Sequence, residues 1–184
     1  MAKKAILSFG RMNPPTTGHQ KLVDKVRTVA RLEKGDPLIY LSHTFQDKKD
    51  ENGYKDPLDY NTKIKYAQKA FGKLVIRSDK RIIVDILKEL ESQGYTDVVM
   101  VVGSDRMRGM EFIKKANGKD YNFDSIELTS AGQRDPDADG VEGMSASKMR
   151  EFAANDDLEN FKQGLAKSLQ RDAEKIMKNV QKGM

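Results

Sequence analysis

The sequence predicts an α/β fold built on a five-stranded parallel sheet, with a helical extension at the C-terminus. Two observations along the 184 residues predict it. Short apolar runs of strand composition alternate about five times with segments whose apolar residues recur every three or four positions, and clusters of Gly, Pro and polar residues separate them. Such alternation implies right-handed crossovers, and therefore a doubly wound parallel sheet with helices on both faces.

Five segments have the composition of buried strands. The clearest is 98–102, whose sequence VVMVV is an uninterrupted apolar run of the kind found in strands covered on both faces. The predicted strands are residues 3–9, 38–43, 74–77, 98–102 and 125–129.

The segments between these strands carry helical patterns. The clearest has Ile83, Ile86, Leu87 and Leu90 at the spacing of one buried face, and Gly94 stops it. The predicted helices are residues 19–31, 60–71, 82–90, a helix through about 116, and the helices that follow residue 143. Residues 44–58 and 131–143 are polar and are predicted to be loops.

The end of the chain is predicted to form a separate basic amphipathic helix, 166–184, after a domain of 1–165. Its apolar residues repeat at spacings of three and four, which favours packing on the domain or self-association into a homo-oligomer. They are Leu165, Leu169, Ala173, Ile176 and Val180. Nucleic-acid binding by its basic face is the less favoured alternative. We expect truncation after Leu165 to leave turnover measurable.

The composition excludes several classes of protein. The chain has no cysteine, so disulfides and thiolate metal sites are excluded. No apolar run approaches the roughly 18 residues of a membrane span. The net charge is +5, with 38% hydrophobic and 33% charged residues, as in globular proteins. We therefore expect a soluble cytoplasmic protein that does not bind membranes.

The first candidate site is the loop GRMNPPTTGH, residues 10–19, between the first strand and the first helix. Gly18 lets backbone approach a ligand, and His19 lies where the helix begins. The exposed N–H groups and the helix dipole favour anions there. An ordinary strand-to-helix turn with a surface histidine explains the composition about equally well.

The second candidate site is MSASKMR, residues 144–150. Ser145 is a candidate N-cap, and Ser147 and Arg150 share one helical face. A hydroxyl, exposed N–H groups and a guanidinium at one helix start can hold an oxyanion. A well-capped helix with a solvated arginine is at least as consistent with this segment alone.

Together the two segments resemble the nucleotidylyltransferase superfamily, which is marked by a His/Thr-x-Gly-His motif and a later Ser-x-Ser/Thr-x-x-Arg motif. Residues 16–19 (TTGH) match the first motif and residues 145–150 (SASKMR) match the second. The opening Gly10-Arg11 with Pro14 is most similar to nicotinamide-mononucleotide adenylyltransferases, and the first threonine to phosphopantetheine adenylyltransferases. The sequence departs from this pattern at Met12-Asn13, Met144 and Ala146. The resemblance covers about residues 3–165 and implies a Rossmann-like fold.

The resemblance implies transfer of a nucleotidyl group from ATP, or from CTP, to a phosphorylated acceptor such as nicotinamide mononucleotide. His19 would stabilise the transition state at the α-phosphate, with Thr16 in support. Ser147 and Arg150 would hold the β- and γ-phosphates. Mg²⁺ would bridge the phosphates through water and ligand oxygens, without protein ligands.

Other residues are weaker candidates. Gly10, Arg11, Gly103, Asp105 and Ser145 belong to segments that would touch the nucleotide, although a solvated arginine or a helix-capping aspartate explains Arg11 or Asp105 equally well. One of three loop lysines could bind phosphate, and His43 is more consistent with a structural role. The lysines are Lys48, Lys49 and Lys55.

Two further functions stay open beside adenylyl transfer. One is cytidylyl transfer from CTP to a phospho-alcohol, which uses the same two motifs. The other is a non-catalytic nucleotide-binding or structural module of a larger assembly, to which a compact domain with a basic tail is suited.

Overall fold

The computed structural model describes residues 1–132 and 144–184. Its sheet is five-stranded and all-parallel, flanked by helices, with the order β3-β2-β1-β4-β5. The strands are β1 (Lys4–Gly10), β2 (Asp36–Leu41), β3 (Val75–Ile76), β4 (Asp97–Val102) and β5 (Ser125–Ser130). The predicted fold class is therefore confirmed. The strand order changes direction between β1 and β4, and in such sheets ligands bind beyond the carboxyl ends of the strands at that point.

The helices agree with the predicted positions in most places. They are α1 (Thr17–Glu33), α2 (Tyr60–Phe71), α3 (Ile83–Ser92), α4 (Met107–Met110), α5 (Phe112–Lys115), α6 (Ala146–Ala154), α7 (Leu158–Gly164) and α8 (Ala173–Gly183), with 3₁₀ turns at Ser104–Arg106 and Lys167–Asp172. The predicted loop 131–143 lies, except for its first two residues, outside the described residues.

Three predicted elements differ from the structure in ways that matter for the fold. The single helix expected through Ala116 is a 3₁₀ turn followed by two one-turn helices, in a segment that contains Gly109, a poor helix former. The second strand ends at Leu41 rather than at residue 43. The predicted 166–184 helix begins instead as a 3₁₀ turn and becomes α-helical only from Ala173.

The chain divides into two compact units. The first contains residues 1–9, 22–40 and 76–132, and its interior is an apolar cluster. Alternate residues of two strands point into this cluster, namely Ala5 and Leu7 of β1 and Val98 and Met100 of β4. They meet the predicted apolar face of α3, because Ile83, Ile86, Leu87 and Leu90 are all buried in the same cluster.

The second unit contains residues 10–21, 41–75 and 144–184 of the described chain. In it α6, α7 and α8 pack on one another, and the 3₁₀ turn Lys167–Asp172 packs on α2. The five apolar tail residues singled out in the sequence are all buried, which confirms that they form a packing face. They are Leu165, Leu169, Ala173, Ile176 and Val180.

Polar contacts join the tail to its neighbours. Lys69 of α2 forms an ion pair with Asp172. The Gln181 amide donates to the Ala153 carbonyl of α6 at 2.8 Å. The Gln46 amide donates to the Gly183 carbonyl at 3.0 Å, and a methyl group at Gly183 would overlap the Pro57 carbonyl. The tail therefore contacts the segment 44–58 as well as the helices. The domain boundary at residues 165 and 166 stays a prediction.

Candidate functional site

The start of α1 is organised by a reciprocal pair of hydrogen bonds between Thr16 and His19. The His19 amide donates to the Thr16 hydroxyl at 3.4 Å, and the Thr16 amide donates to Nδ1 of His19 at 3.0 Å. The Thr16 carbonyl accepts the first helical bond, from Gln20, so Thr16 is the N-cap. This is the capping-box pattern with an imidazole in place of the usual carboxylate or amide.

The capping box determines the tautomer of His19. A backbone N–H can only donate, so Nδ1 must present its lone pair to the Thr16 amide. A neutral ring then carries its proton on Nε2. The helix start is thus a place where an imidazole donor accompanies exposed backbone N–H groups, and it is chemically suited to an anion.

The hydroxyl of Thr16 joins the two motif segments. It donates to the Met144 carbonyl at 2.8 Å, immediately before α6. The backbone of Thr16 also forms an antiparallel bridge with Leu165, after α7. Residues 10–19 and 144–150 are therefore in direct contact.

The start of α6 matches its predicted capping. The Ser145 hydroxyl accepts from the Lys148 amide at 3.2 Å, as expected for an N-cap. The Ser147 hydroxyl lies 3.1 Å from that of Ser145, and both side chains are partly exposed. Two hydroxyls and the first N–H groups of α6 are thus presented together.

Arg150 is buried rather than solvated. Its side chain is 3% exposed, and its Nε donates to Asp50 at 2.9 Å. One terminal nitrogen donates to the Asn13 carbonyl at 2.9 Å and lies 3.4 Å from Asp56. The alternative of a solvated arginine is wrong, because two carboxylates and a carbonyl hold the guanidinium. Its binding of phosphate stays a prediction.

Asp50 is held by a tight turn in the segment 44–58. Its carboxylate accepts from the Asn52 and Tyr54 amides, both at 2.9 Å, and from Arg150. Burial by itself would raise the pKa of Asp50, but these amide and guanidinium bonds together hold that pKa below its ordinary value. Asp50 is therefore a stable anion opposite Arg150.

Asn13 ties the first loop to the end of the 44–58 segment. Its side-chain amide donates to the Leu58 carbonyl and its side-chain carbonyl accepts from the Leu58 amide, both at 2.9 Å. The side chain is fully buried. This pairing gives a structural reason for an asparagine at one of the positions where the sequence departs from the family pattern.

Lys63 of α2 is the largest fully buried side chain, and the sequence analysis missed it. Its ammonium lies 3.5 Å from the Ser42 hydroxyl and 3.5 Å from the Thr44 carbonyl, just beyond β2. Burial, with a smaller contribution from Arg11, lowers the pKa of Lys63 to about 8, and Asp56 opposes the shift. The sequence carried a signal, because Lys63, Ala67 and Phe71 follow one another at intervals of four on one helical face.

The other predicted residues are distributed unevenly. Arg11 is half-exposed and lies 3.7 Å from Asp56, and a side chain at Gly10 would meet open space. Gly103 and Asp105 belong to the first unit, and their contact with a nucleotide stays a prediction. The loop lysines Lys48, Lys49 and Lys55 are all exposed. His43 stacks on Tyr60 with ring centroids 3.8 Å apart, as expected for a structural role.

The described residues do not form a cage for a metal ion. Across 1–132 and 144–184, no three His, Asp or Glu side chains come together as potential ligands. The buried carboxylates of Asp50 and Asp56 are both engaged by Arg150. In the same residues, no helix is long and apolar enough to cross a membrane.

A doubly wound sheet, a helix after β1 with Thr16 as its N-cap and His19 in its first turn, and a serine-capped helix that meets it are features of a nucleotidyltransferase. The family model described as cytidylyltransferase-like matches residues 7–152, well over half of the chain. The chain therefore belongs to the cytidylyltransferase-like family.

A solved structure supports the fold over the whole chain. It is "Putative Nicotinate-nucleotide Adenylyltransferase from Vibrio parahaemolyticus", with a TM-score of 0.56 and 16% sequence identity, and the match covers 99% of this chain and 97% of that one. At this identity the similarity concerns the fold. No curated protein matches the sequence.

Proposed function

We propose that the protein transfers an adenylyl group from ATP to a phosphorylated acceptor such as nicotinamide or nicotinate mononucleotide, with release of pyrophosphate. The observation that carries the proposal is the Thr16 hydroxyl, which lies against the His19 ring and donates to the Met144 carbonyl. It brings the two helix starts together, and each start presents N–H groups and side-chain donors suited to phosphate oxygens.

The proposed reaction is a direct in-line displacement. An oxygen of the acceptor phosphate forms a bond to the α-phosphorus, and the bond from that phosphorus to the α,β-bridging oxygen breaks with its electron pair leaving on pyrophosphate. Because the attacking phosphate is already ionised, no strong general base is required. Catalysis then consists of positioning and charge stabilisation.

Each residue has a defined part in this proposal. His19 donates from Nε2 to an α-phosphate oxygen, where negative charge develops in the transition state. Thr16 holds the ring in the donor tautomer. Ser145, Ser147 and the first amides of α6 receive the β- and γ-phosphates, and Arg150 contributes positive charge from within its ion pairs. Mg²⁺ would accompany the triphosphate and offset part of its negative charge, and no step depends on a protein-held ion.

An assay over several substrates identifies the nucleobase and the acceptor. Pyrophosphate release is measured with ATP and CTP, each against nicotinamide mononucleotide, nicotinate mononucleotide and a panel of phospho-alcohols. Turnover with ATP and a mononucleotide supports the proposal. Turnover restricted to CTP and a phospho-alcohol would replace it with the cytidylyltransferase alternative.

A non-catalytic nucleotide-binding module is the second candidate, and one observation favours it. Arg150, the motif arginine, is neutralised by Asp50 and Asp56 and is almost wholly buried. Under this alternative, calorimetry detects triphosphate binding while no nucleotide and acceptor pair yields pyrophosphate above the His19→Ala background.

A further inference from the structure

The second unit contains a largely buried set of charged side chains in which cations outnumber carboxylates. We define the charge cluster as Arg11, Asp50, Asp56, Lys63 and Arg150. Arg150 contacts both carboxylates, and Arg11 lies 3.7 Å from Asp56. Lys63 interacts electrostatically with Asp56 and Arg11. Among these residues three cations face two carboxylates.

Exposure differs sharply within the charge cluster. The side chains of Arg150, Asp56 and Asp50 are 3%, 6% and 8% exposed, whereas that of Arg11 is 49% exposed. Lys63 has no exposed surface at all. An anion can therefore reach the charge cluster at Arg11, whereas it cannot contact the buried Lys63 directly.

Lys63 is poorly compensated in its surroundings. Its two contacts, with the Ser42 hydroxyl and the Thr44 carbonyl, are long for an ammonium group, at 3.5 Å each. Asp56 is the carboxylate that favours its charge, and Asp56 is shared with two arginines. Asp56 is therefore only a partial counterion for the charged form of Lys63, and an incompletely compensated buried charge is costly.

Two carboxylates of the neighbouring described elements have other partners. On α2 itself, the Asp59 carboxylate caps the helix by accepting from the Thr62 amide. From the turn that packs on α2, Asp172 pairs with Lys69. Arg150 of α6 adds a further positive charge to Asp56.

We infer that Lys63 is a positioning residue whose charge is completed by a polyphosphate group bound at Arg11, so that anion binding is coupled to proton uptake by Lys63. The inference rests on the proposed function in that the anion is the triphosphate of the substrate. The inference adds Lys63, which lies outside both motifs, as an electrostatic partner of the triphosphate. Because Lys63 is half-protonated near pH 8, an approaching polyphosphate shifts the ammonium form toward full occupancy.

Calorimetric titration with inorganic tripolyphosphate tests this inference without turnover. Wild type, Lys63→Met and Lys65→Met are compared at pH 8 in two buffers of different ionisation enthalpy, which gives the protons taken up per anion bound. Lys65 is the matched control, an exposed lysine on the same helix. The difference between wild type and Lys63→Met isolates the proton of Lys63 from those of the ligand.

We expect wild type and Lys65→Met to take up about half a proton more than Lys63→Met at pH 8, the fraction of Lys63 that lacks a proton there. At pH 7 the Kd of Lys63→Met should be about tenfold weaker, which corresponds to a pKa raised by one unit on binding. Equal proton uptake and equal Kd in wild type and Lys63→Met would show a merely structural lysine and overturn the inference.

A second variant keeps the test decisive if Lys63→Met does not fold. Asp56→Asn removes the carboxylate that favours the Lys63 charge, so the pH at which proton uptake is greatest should fall below the wild-type value. If proton uptake is greatest at the same pH in Asp56→Asn and in wild type, the inference is overturned. Proton-linked binding without pyrophosphate release would leave the inference intact and remove the proposed function. Turnover without proton-linked binding would do the reverse.

Discussion

The two compact units differ in what they bury. The interior of the first is an apolar cluster around β1, β4 and α3. Of the seven buried polar side chains in the described residues, all except Ser8 belong to the second unit. They are Asn13, Thr16, Ser42, Asp56, Lys63 and Arg150.

This difference suggests that the first unit is a scaffold and that the second unit carries the site. Burying polar and charged groups costs free energy unless partners satisfy them, so their concentration in one unit is a feature that folding alone does not favour. Perturbed, partnered charges of this kind gather at functional sites. The predictions below test whether the second unit is indeed a polar site supported by the apolar face of the tail.

The largest effect is expected from removing residues 166–184, and the burial of their apolar face replaces the sequence-based expectation that turnover survives this truncation. The truncation deletes the buried side chains of Leu169, Ile176, Met177 and Val180. At about 1.5–3 kcal/mol for each buried side chain the loss is roughly 6–12 kcal/mol, as large as the whole stability of many domains. Circular dichroism should show loss of the cooperative thermal transition.

Two single substitutions on α8 provide a matched comparison for this prediction. Ile176→Ala should lower the melting temperature, whereas Lys178→Ala, at a side chain 70% exposed, should leave it unchanged. A truncated protein that unfolds cooperatively and turns over at the wild-type rate would instead support a domain that ends at residue 165.

Arg150→Ala should produce the next largest effect. It leaves Asp50 buried without a guanidinium partner and Asp56 with Arg11 alone, and breaking a buried ion pair typically costs about 3–5 kcal/mol. Urea unfolding measures the loss of stability, and calorimetry should show weaker triphosphate binding. Leu87→Ala in the first unit is the comparison: it should cost about 2–5 kcal/mol of stability and leave the Kd unchanged. Equal Kd values for both variants would show that Arg150 has only a structural role.

His19→Ala should lower kcat by roughly 10²–10³-fold, the scale of losing one preorganised donor to a developing charge. Binding of the triphosphate should weaken far less, because Ser147, Arg150 and the helix amides remain. Steady-state kinetics and calorimetry separate the two effects. The control is His43→Ala, since His43 is the only other histidine of the chain and stacks on Tyr60. An unchanged kcat in His19→Ala would remove the central residue of the mechanism.

Lys63 should give the second unit a pH-dependent stability. The unfolded lysine keeps its proton up to about pH 10.5, whereas the folded one releases it near pH 8, so stability should rise as pH increases between these values. Lys63→Met should therefore be more stable than wild type at pH 7, by about 3 kcal/mol, and this advantage should shrink toward pH 10.5. Urea midpoints across pH 6–10.5 measure it. A constant difference would show that Lys63 does not titrate in the fold.

Ser145→Ala should have the smallest effect, about 1 kcal/mol of stability, because the Lys148 amide loses its capping acceptor. Ser145→Asp restores an acceptor at the N-cap and should recover most of that loss. Thermal melts of the two variants decide it, and identical melting temperatures would show that the cap contributes nothing.

The sequence by itself determined the alternation of strands and helices, the position of both motifs and the buried faces of α3 and the tail. These properties are local, because strand and helix periodicities and capping depend on residues that are close together in the sequence. Thr16, Gly18, His19, Ser145 and Ser147 could be selected for that reason.

The tertiary structure alone decided the partners of these residues. Asp50 and Arg150 are a hundred positions apart, and Asp56 joins charges from three different segments. Long-range pairing of this kind leaves no periodic trace in the sequence. Lys63 illustrates this difference. Its spacing with Ala67 and Phe71 indicates a buried position in the sequence. Only the packing around Ser42, Thr44 and Asp56 shows that its charge is incompletely compensated there. The energy of a buried charge depends on what surrounds it in space, and the order of residues along the chain does not specify those surroundings.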